Sequence, residues 1–171
     1  MVGVWGKRVS SSFPVFILFE VWLKAPRMNN PLTHALASLP HGSEFRFVDQ
    51  LRALDPGQSG AGEYTLRGDE VFLRGHFPGA PLMPGVLLVE AAAQLAGTVA
   101  QSDPALAPLQ NLRLTAIRGA KILGSARPGQ TIHLEARIIG RMGNLIQAQA
   151  TAQVEGRVIL QTEITLSGDA V

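Results

Sequence analysis

A histidine, a carboxylate and the start of a helix lie close together in this sequence. His76 belongs to a loop, residues 75–85, that contains three prolines and three glycines. Such a stiff path can hold an imidazole in one orientation. The loop ends at a predicted helix N-terminus, where free N–H groups and the helix dipole favour negative charge. With Glu90 inside the helix, these groups could abstract a proton next to a carbonyl. A structural histidine that caps a loop carbonyl is the alternative.

The predicted helix, Gly85–Gln101, carries one narrow polar stripe. At about 100° per residue, its polar side chains project within a sector of roughly 80°. The apolar remainder of the surface predicts a helix that is buried on most sides. The stripe therefore either faces solvent or lines a polar cavity, and its single charge favours the cavity. The stripe consists of Glu90, Gln94, Thr98 and Gln101.

The other histidines lack the setting of His76. His34, His41 and His133 are predicted to be structural or exposed, and the histidine spacing matches no metal-binding motif. The chain has no cysteine, which excludes a thiolate zinc site, a cysteine nucleophile and a disulfide framework. No metal site is predicted.

The elements around this loop predict an α+β fold. A short helix is expected over residues 31–39, after Asn30 and before Pro40. Alternating patterns and turn residues predict six strands. Turns are expected at 55–57 and Glu155-Gly156, with a looser turn at 140–143. Strands joined by hairpins imply an antiparallel sheet, which must cover the long apolar helix. The predicted strands are 45–54, 60–67, 112–122, 131–141, 144–154 and 157–167.

Composition and charge limit the class of protein. The 171 residues are 46% hydrophobic, which fits one folded domain and excludes a disordered chain. Residues 1–30 hold four basic groups against one acidic group, whereas residues 31–171 hold 11 basic and 12 acidic groups. A nucleic-acid module is therefore not expected. The sequence has no run of 18 apolar residues, so no membrane span is predicted.

The first 30 residues differ in kind from the rest. Lys7 and Arg8 precede an apolar run over 13–23, a pattern that imitates a signal peptide. Glu20 interrupts that run and no small-x-small cleavage site follows. We expect residues 1–30 to be a poorly ordered extension, with the working protein beginning near Met28 and the folded domain spanning 31–171.

Residues 74–94 read RGHFPGAPLMPGVLLVEAAAQ. This run resembles the signature G-H-F-P-G-x-P-x-M-P-G-V-L-x-x-E-A-x-A-Q of the FabZ-type 3-hydroxyacyl-acyl-carrier-protein dehydratases. The resemblance includes the fourteen-residue step from His76 to Glu90 and the glutamine one turn later, and it extends more weakly over 31–167. It implies the hot-dog fold, in which an antiparallel sheet wraps a long central helix. Glu rather than Asp at position 90 favours the FabZ type over the FabA type.

The resemblance also implies a reaction and a role for each site residue. The reaction is loss of water from a 3-hydroxyacyl thioester to give a trans-2-enoyl thioester. His76 would take the proton from C2, and Glu90 would act on the departing hydroxyl group. Backbone N–H groups at Gly85 and Val86 would receive the developing enolate oxygen, while Gln94 would orient Glu90.

Partners and cofactors follow from the same resemblance. It implies a homo-oligomer, a dimer or a trimer of dimers, in which His76 of one chain meets Glu90 of the other. Acyl carrier protein would be the partner, and its phosphopantetheine arm would arrive with the substrate. The resemblance implies no metal or redox cofactor, no membrane role and a cytoplasmic location.

The sequence departs from the family pattern outside the catalytic pair. Where the family often has Pro-His-Arg-x-Pro, this chain has 40-PHGSE-44, and residues 112–113, 118 and 122–123 also differ. These changes leave the catalytic pair intact, but the family's tunnel gate, choice of chain length and carrier docking do not carry over to this chain from the resemblance. A dehydratase of a specialised polyene or polyketide pathway, a hot-dog thioesterase and a non-catalytic acyl-thioester binder are the alternatives.

A basic stretch provides a candidate docking surface for the carrier. No acidic residue occurs between Asp103 and Glu135, while four basic residues do. Such a patch would attract an acidic carrier, and salt would weaken the attraction. Ordinary solubilising charge is the alternative. The four residues are Arg113, Arg118, Lys121 and Arg127.

Overall fold

Two α-helices, two short 3-10 helices (Ser43–Phe45 and Val71–Leu73) and six strands lie within residues 31–170, the part of the chain that the computed structural model describes. Expectations about residues 1–30, including the signal-like run and the start near Met28, lie outside the described residues. No helix in the described part has the length and apolar content needed to cross a bilayer. The elements are α1 (Pro31–Ala37), β1 (Gln50–Asp55), β2 (Ser59–Thr65), α2 (Gly85–Gln101), β3 (Gln110–Ile122), β4 (Thr131–Met142), β5 (Leu145–Val154) and β6 (Arg157–Asp169).

The six strands form one antiparallel sheet in the order β1-β2-β4-β5-β6-β3. α2 packs against β2, β3, β4, β5 and β6. The alternation in β5 sets its faces, because its alanines are buried while the glutamines between them are more exposed. The sheet therefore covers the long apolar helix, as the sequence predicts.

Small side chains let α2 lie close to the sheet. Buried alanines occupy both the helix and the facing strands β4 and β5. Gly60 of β2 continues this surface, because an added Cβ would lie 2.7 Å from Cγ2 of Val99. This close packing fixes the rotation of α2 and thus the direction of its polar stripe.

The first strand and one turn depart most from the prediction, and the other helix and strand bounds differ from it by at most two residues. The first strand begins at Gln50 rather than residue 45, because the Phe47 N–H donates to the Gln94 side chain instead of a neighbouring strand. Pairing with β2 starts only at Asp49, whose N–H donates to a β2 carbonyl. The predicted turn at 140–143 is a tighter turn at 143–144, with Gly143 at φ 58°. The predicted bounds of α2 are confirmed.

Candidate active site

His76 is held in one tautomer by its own loop. Its Nδ1 lies 3.0 Å from the carbonyl oxygen of Leu82. A carbonyl oxygen only accepts hydrogen bonds, so Nδ1 carries the hydrogen and donates it. In the neutral ring, Nε2 therefore holds the free lone pair. The half-buried imidazole thus presents a proton acceptor at a fixed position.

The backbone next to His76 is shaped by a tight turn and by strain. Phe77 accepts a hydrogen bond from the N–H of Ala80 across Pro78 and Gly79, whose φ of 85° suits glycine. Phe77 itself has a φ of 60°, a left-handed conformation that is uncommon for an aromatic residue. Its ring lies 4.3 Å from the His76 ring, centroid to centroid. Such strain is typical of sites where geometry serves function.

Glu70 anchors the segment that leads into this loop. Its carboxylate accepts hydrogen bonds from the backbone N–H groups of Arg67 and Gly68 and from the Tyr64 hydroxyl. Burial alone would raise the pKa of Glu70, but these hydrogen bonds outweigh burial and lower it. The ionised Glu70 therefore fixes the chain just before His76.

In the described part of the chain, the N-terminus of α2 has unpaired N–H donors, and the space beside them is open because residue 85 is a glycine. Within residues 31–170, the N–H groups of Gly85 and Val86 have no acceptor. A Cβ at position 85 would collide with the side chain of Ile122. These N–H groups and the positive end of the helix dipole can stabilise an oxyanion. Val86 is 72% exposed, so this end of the helix opens outward.

Gln94 joins the polar stripe to the loop before β1. It is 2% exposed, and its amide makes three hydrogen bonds. Its Oε1 accepts from the Phe47 N–H at 2.8 Å, and its Nε2 donates to the Phe45 carbonyl at 2.8 Å. These two backbone partners fix which amide atom is nitrogen. The second Nε2 hydrogen therefore donates to Oε1 of Glu90, at 3.0 Å.

The stripe does not face solvent. Thr98 is also 2% exposed, and its hydroxyl donates to the Gln94 carbonyl oxygen. Gln101 exchanges two hydrogen bonds with the backbone of Leu109. Glu90 and Gln101 keep partial access to solvent, and 22% of the Glu90 side chain is exposed. The solvent-face alternative is therefore excluded for Gln94 and Thr98.

His41 is a site residue that the sequence reasoning missed. Its Nε2 lies 3.4 Å from Oε1 of Glu90. The two residues are far apart in sequence, so no local spacing predicts this contact. The available signal was the match of Pro40-His41 to the first two residues of the family's Pro-His-Arg-x-Pro pattern.

His76 and Glu90 have separate polar partners in the described part of one protomer. The described residues include no hydrogen bond or ion pair between them; each has other partners. Both nevertheless lie toward the N-terminal end of α2, His76 in the preceding loop and Glu90 in the second turn. No group of three or more metal-ligating side chains occurs among residues 31–170.

The four basic residues of the predicted docking surface have different surroundings. Arg113 lies 3.7 Å from Asp169, and Arg118 stands opposite Glu163 in the register of β3 and β6. Lys121 and Arg127 form no ion pair with another residue of the described part. The basic surface is thus partly neutralised by acidic residues on β6.

The fold and the site define the class of protein, a hot-dog protein with a histidine loop at the N-terminus of its central helix. A family model described as a FabA-like domain matches residues 39–163. The chain belongs to this family, and the predicted resemblance and hot-dog fold are confirmed.

Its relatives include two bacterial enzymes named 3-hydroxyacyl-[acyl-carrier-protein] dehydratase FabZ. The one from Rickettsia bellii is 32% identical over 138 residues, which cover 81% of this chain and 95% of that protein. The one from Chloroflexus aggregans is 36% identical over 129 residues, which cover 75% and 89%.

Solved structures share the fold at low sequence identity. A chain of the dehydratase heterocomplex ApeI:P from Xenorhabdus doucetiae has a TM-score of 0.67 at 14% identity, covering 81% of this chain and 91% of that one. The HP0420 homologue from Helicobacter felis has a TM-score of 0.61 at 13% identity, covering 84% and 94%.

Proposed function

We propose that this protein removes water from 3-hydroxyacyl thioesters carried on acyl carrier protein, giving trans-2-enoyl thioesters for fatty-acid synthesis. The observation that carries the proposal is the fixed His76 tautomer in the loop that leads into the free N–H groups at the start of α2. A base at Nε2 and an oxyanion site at a helix N-terminus are what proton abstraction beside a thioester carbonyl needs. The named activity of the FabZ relatives supports the same reaction.

The reaction removes a proton from C2 of the substrate and the hydroxyl group from C3. Nε2 of His76 takes the proton from C2 of the substrate. Negative charge develops on the thioester oxygen, which accepts from the N–H of Gly85, with Val86 adjacent. The electron pair then forms the C2–C3 double bond and the C3–O bond breaks. Glu90 gives its proton to the departing oxygen, which leaves as water, and Gln94 keeps the carboxyl group in place.

The catalytic pair is completed by two copies of the chain. Three observations support a dimer: the described residues show no hydrogen bond or ion pair between His76 and Glu90, β3 has an unpaired edge in this sheet, and exposed apolar side chains surround the helix start. An unpaired strand edge is a template for pairing with another chain. A two-fold axis perpendicular to β3 would pair the two β3 edges antiparallel, and in the proposed dimer His76 of one protomer lies beside Glu90 of the other. A trimer of dimers is an extension of this arrangement.

Carrier docking is assigned to the basic surface of Arg113, Arg118, Lys121 and Arg127. Lys121 precedes Ile122, whose side chain packs at the start of α2, so this part of the surface lies beside the site. We expect carrier affinity to fall as ionic strength rises. Affinity that is indifferent to salt would remove this surface from the proposal.

A cytoplasmic location and the absence of a resident cofactor belong to the same proposal, since the phosphopantetheine arm comes with the carrier.

The test uses short and long 3-hydroxyacyl carrier-protein substrates and follows both water loss and thiol release. We expect water loss by the wild-type chain, and a loss of at least 100-fold in kcat for His76→Ala and Glu90→Gln. His34→Ala is the matched control, since His34 is exposed on α1. Thiol release without water loss would identify a thioesterase. Near-wild-type dehydration by His76→Ala would refute the assignment.

A further inference from the structure

Glu90 uses one of its two oxygens for every polar contact that it makes inside the chain. Gln94 donates to Oε1 at 3.0 Å, and Nε2 of His41 approaches the same Oε1 at 3.4 Å. Within residues 31–170, Oε2 has no partner. The carboxyl group is therefore held from one side and open on the other.

The burial of Nδ1 favours one tautomer of His41. Nδ1 is buried and has no hydrogen-bond partner in the described part of the chain. An orphaned acceptor is less unusual than an orphaned N–H donor, which favours a bare Nδ1 and a hydrogen on Nε2. Nε2 faces Oε1 of Glu90 at 3.4 Å, and Oε1 already accepts from Gln94. Oε1 can therefore accept from both side chains when the proton of Glu90 is on Oε2.

His41 is itself held in place by neighbouring residues. Arg46 donates from its Nη2 to the His41 carbonyl at 3.2 Å and to the Leu39 carbonyl at 3.4 Å. The His41 ring stacks on Phe45, whose carbonyl oxygen accepts from Gln94. The loop that carries His41 is thus tied to the same glutamine that holds Glu90. Gln94 thus supports both His41 and Glu90, which would not be so if the contact between them depended only on a mobile side chain.

We propose that His41 is a positioning residue that, together with Gln94, holds Oε1 of Glu90 and leaves Oε2 free to protonate the leaving hydroxyl. The inference rests on the proposed dehydration and deepens it. When Glu90 gives up its proton, the new carboxylate accepts from both donors. Contacts that are long in the free enzyme often shorten in the reacting complex. The His41 N–H therefore stabilises the charge that forms during the reaction.

The test compares His41→Leu with His41→Gln, whose amide nitrogen can replace Nε2, and uses His34→Leu as the control on an exposed face. One hydrogen bond to a charged group predicts a loss in kcat of about tenfold for His41→Leu, with KM changed less than twofold. His41→Gln should restore most of the loss. Wild-type kcat in His41→Leu overturns the proposal.

A double-mutant cycle separates positioning from a merely structural role. In a Glu90→Gln background, His41→Leu should change the residual rate less than twofold, because the carboxyl group it serves is gone. An equal loss in both backgrounds would show that His41 acts only through folding, and it would overturn the proposal.

An independent readout keeps the two proposals distinguishable. In 15N-histidine-labelled protein, His41 should show a hydrogen on Nε2 and a shifted resonance in Glu90→Gln. A protonated Nδ1 with a bare Nε2 overturns the positioning role even if dehydration is measured. A wild-type chain without dehydration overturns the proposed function, whatever the histidine spectrum.

Discussion

Replacing Gln94 with methionine tests whether the buried amide supports both the site and the fold. Methionine keeps the length and the apolar stem but offers no comparable donor or acceptor. The substitution leaves the N–H of Phe47 without its partner, and Phe47 is 1% exposed. A buried orphaned donor costs about 1–3 kcal/mol, and the two bonds lost from Nε2 add about 1 kcal/mol. We expect the free energy of unfolding to fall by about 3 kcal/mol.

Urea unfolding at a fixed protomer concentration measures this loss. With a slope near 2 kcal/mol per molar urea, the midpoint should fall by about 1.5 M. The matched control is Thr98→Val, one turn further along the same helix and equally buried. Its hydroxyl donates to a helix carbonyl that also accepts a backbone N–H, so no orphan results and the loss should stay below about 1 kcal/mol. Equal losses in the two variants would show that the orphaned Phe47 N–H does not destabilise the fold.

Two further predictions concern the sheet. Gly60→Ala should lower the free energy of unfolding by about 1–3 kcal/mol, because its Cβ would lie 2.7 Å from a valine methyl group of α2. Gly42→Ala is the control and should cost much less, because a Cβ there would have nothing within 4 Å. Equal urea midpoints for the two variants would contradict this prediction. Burial raises the pKa of Glu63, but the hydrogen bond and charge of Arg52 outweigh it and lower the pKa below 4.5. Glu63 therefore stabilises the fold above that pH, and its contribution should disappear as the pH falls through the folded-state pKa. Urea midpoints between pH 7 and 3 should fall more in the wild type than in Glu63→Gln, and parallel curves would contradict the assignment.

The parts predicted correctly from sequence are those specified locally. The bounds of α2 follow from the proline-glycine loop before it and the loss of its apolar pattern at the end. The turn at Glu155-Gly156 is equally local, since both residues take positive φ. The class of fold could be inferred because one apolar helix needs a covering sheet.

The missed parts depend on contacts between distant residues. The start of β1 could not be predicted, because the partner of the Phe47 N–H is a side chain 47 residues away. The pairing of β3 with β6 at the edge of the sheet likewise could not be predicted from the sequence of either strand. His41 was missed for the same reason, since only the fold brings it to Glu90. Local patterns thus predict the elements and the loop that holds His76, and long-range contacts determine how Glu90 is held.

The most direct test of the two-chain site uses a heterodimer of two inactive chains. His76→Ala and Glu90→Gln are co-expressed with different affinity tags, and the mixed dimer is purified through both. One site of this dimer combines His76 of one protomer with Glu90 of the other, so we predict about half of the wild-type kcat per dimer. Activity as low as that of either parent variant would contradict the account.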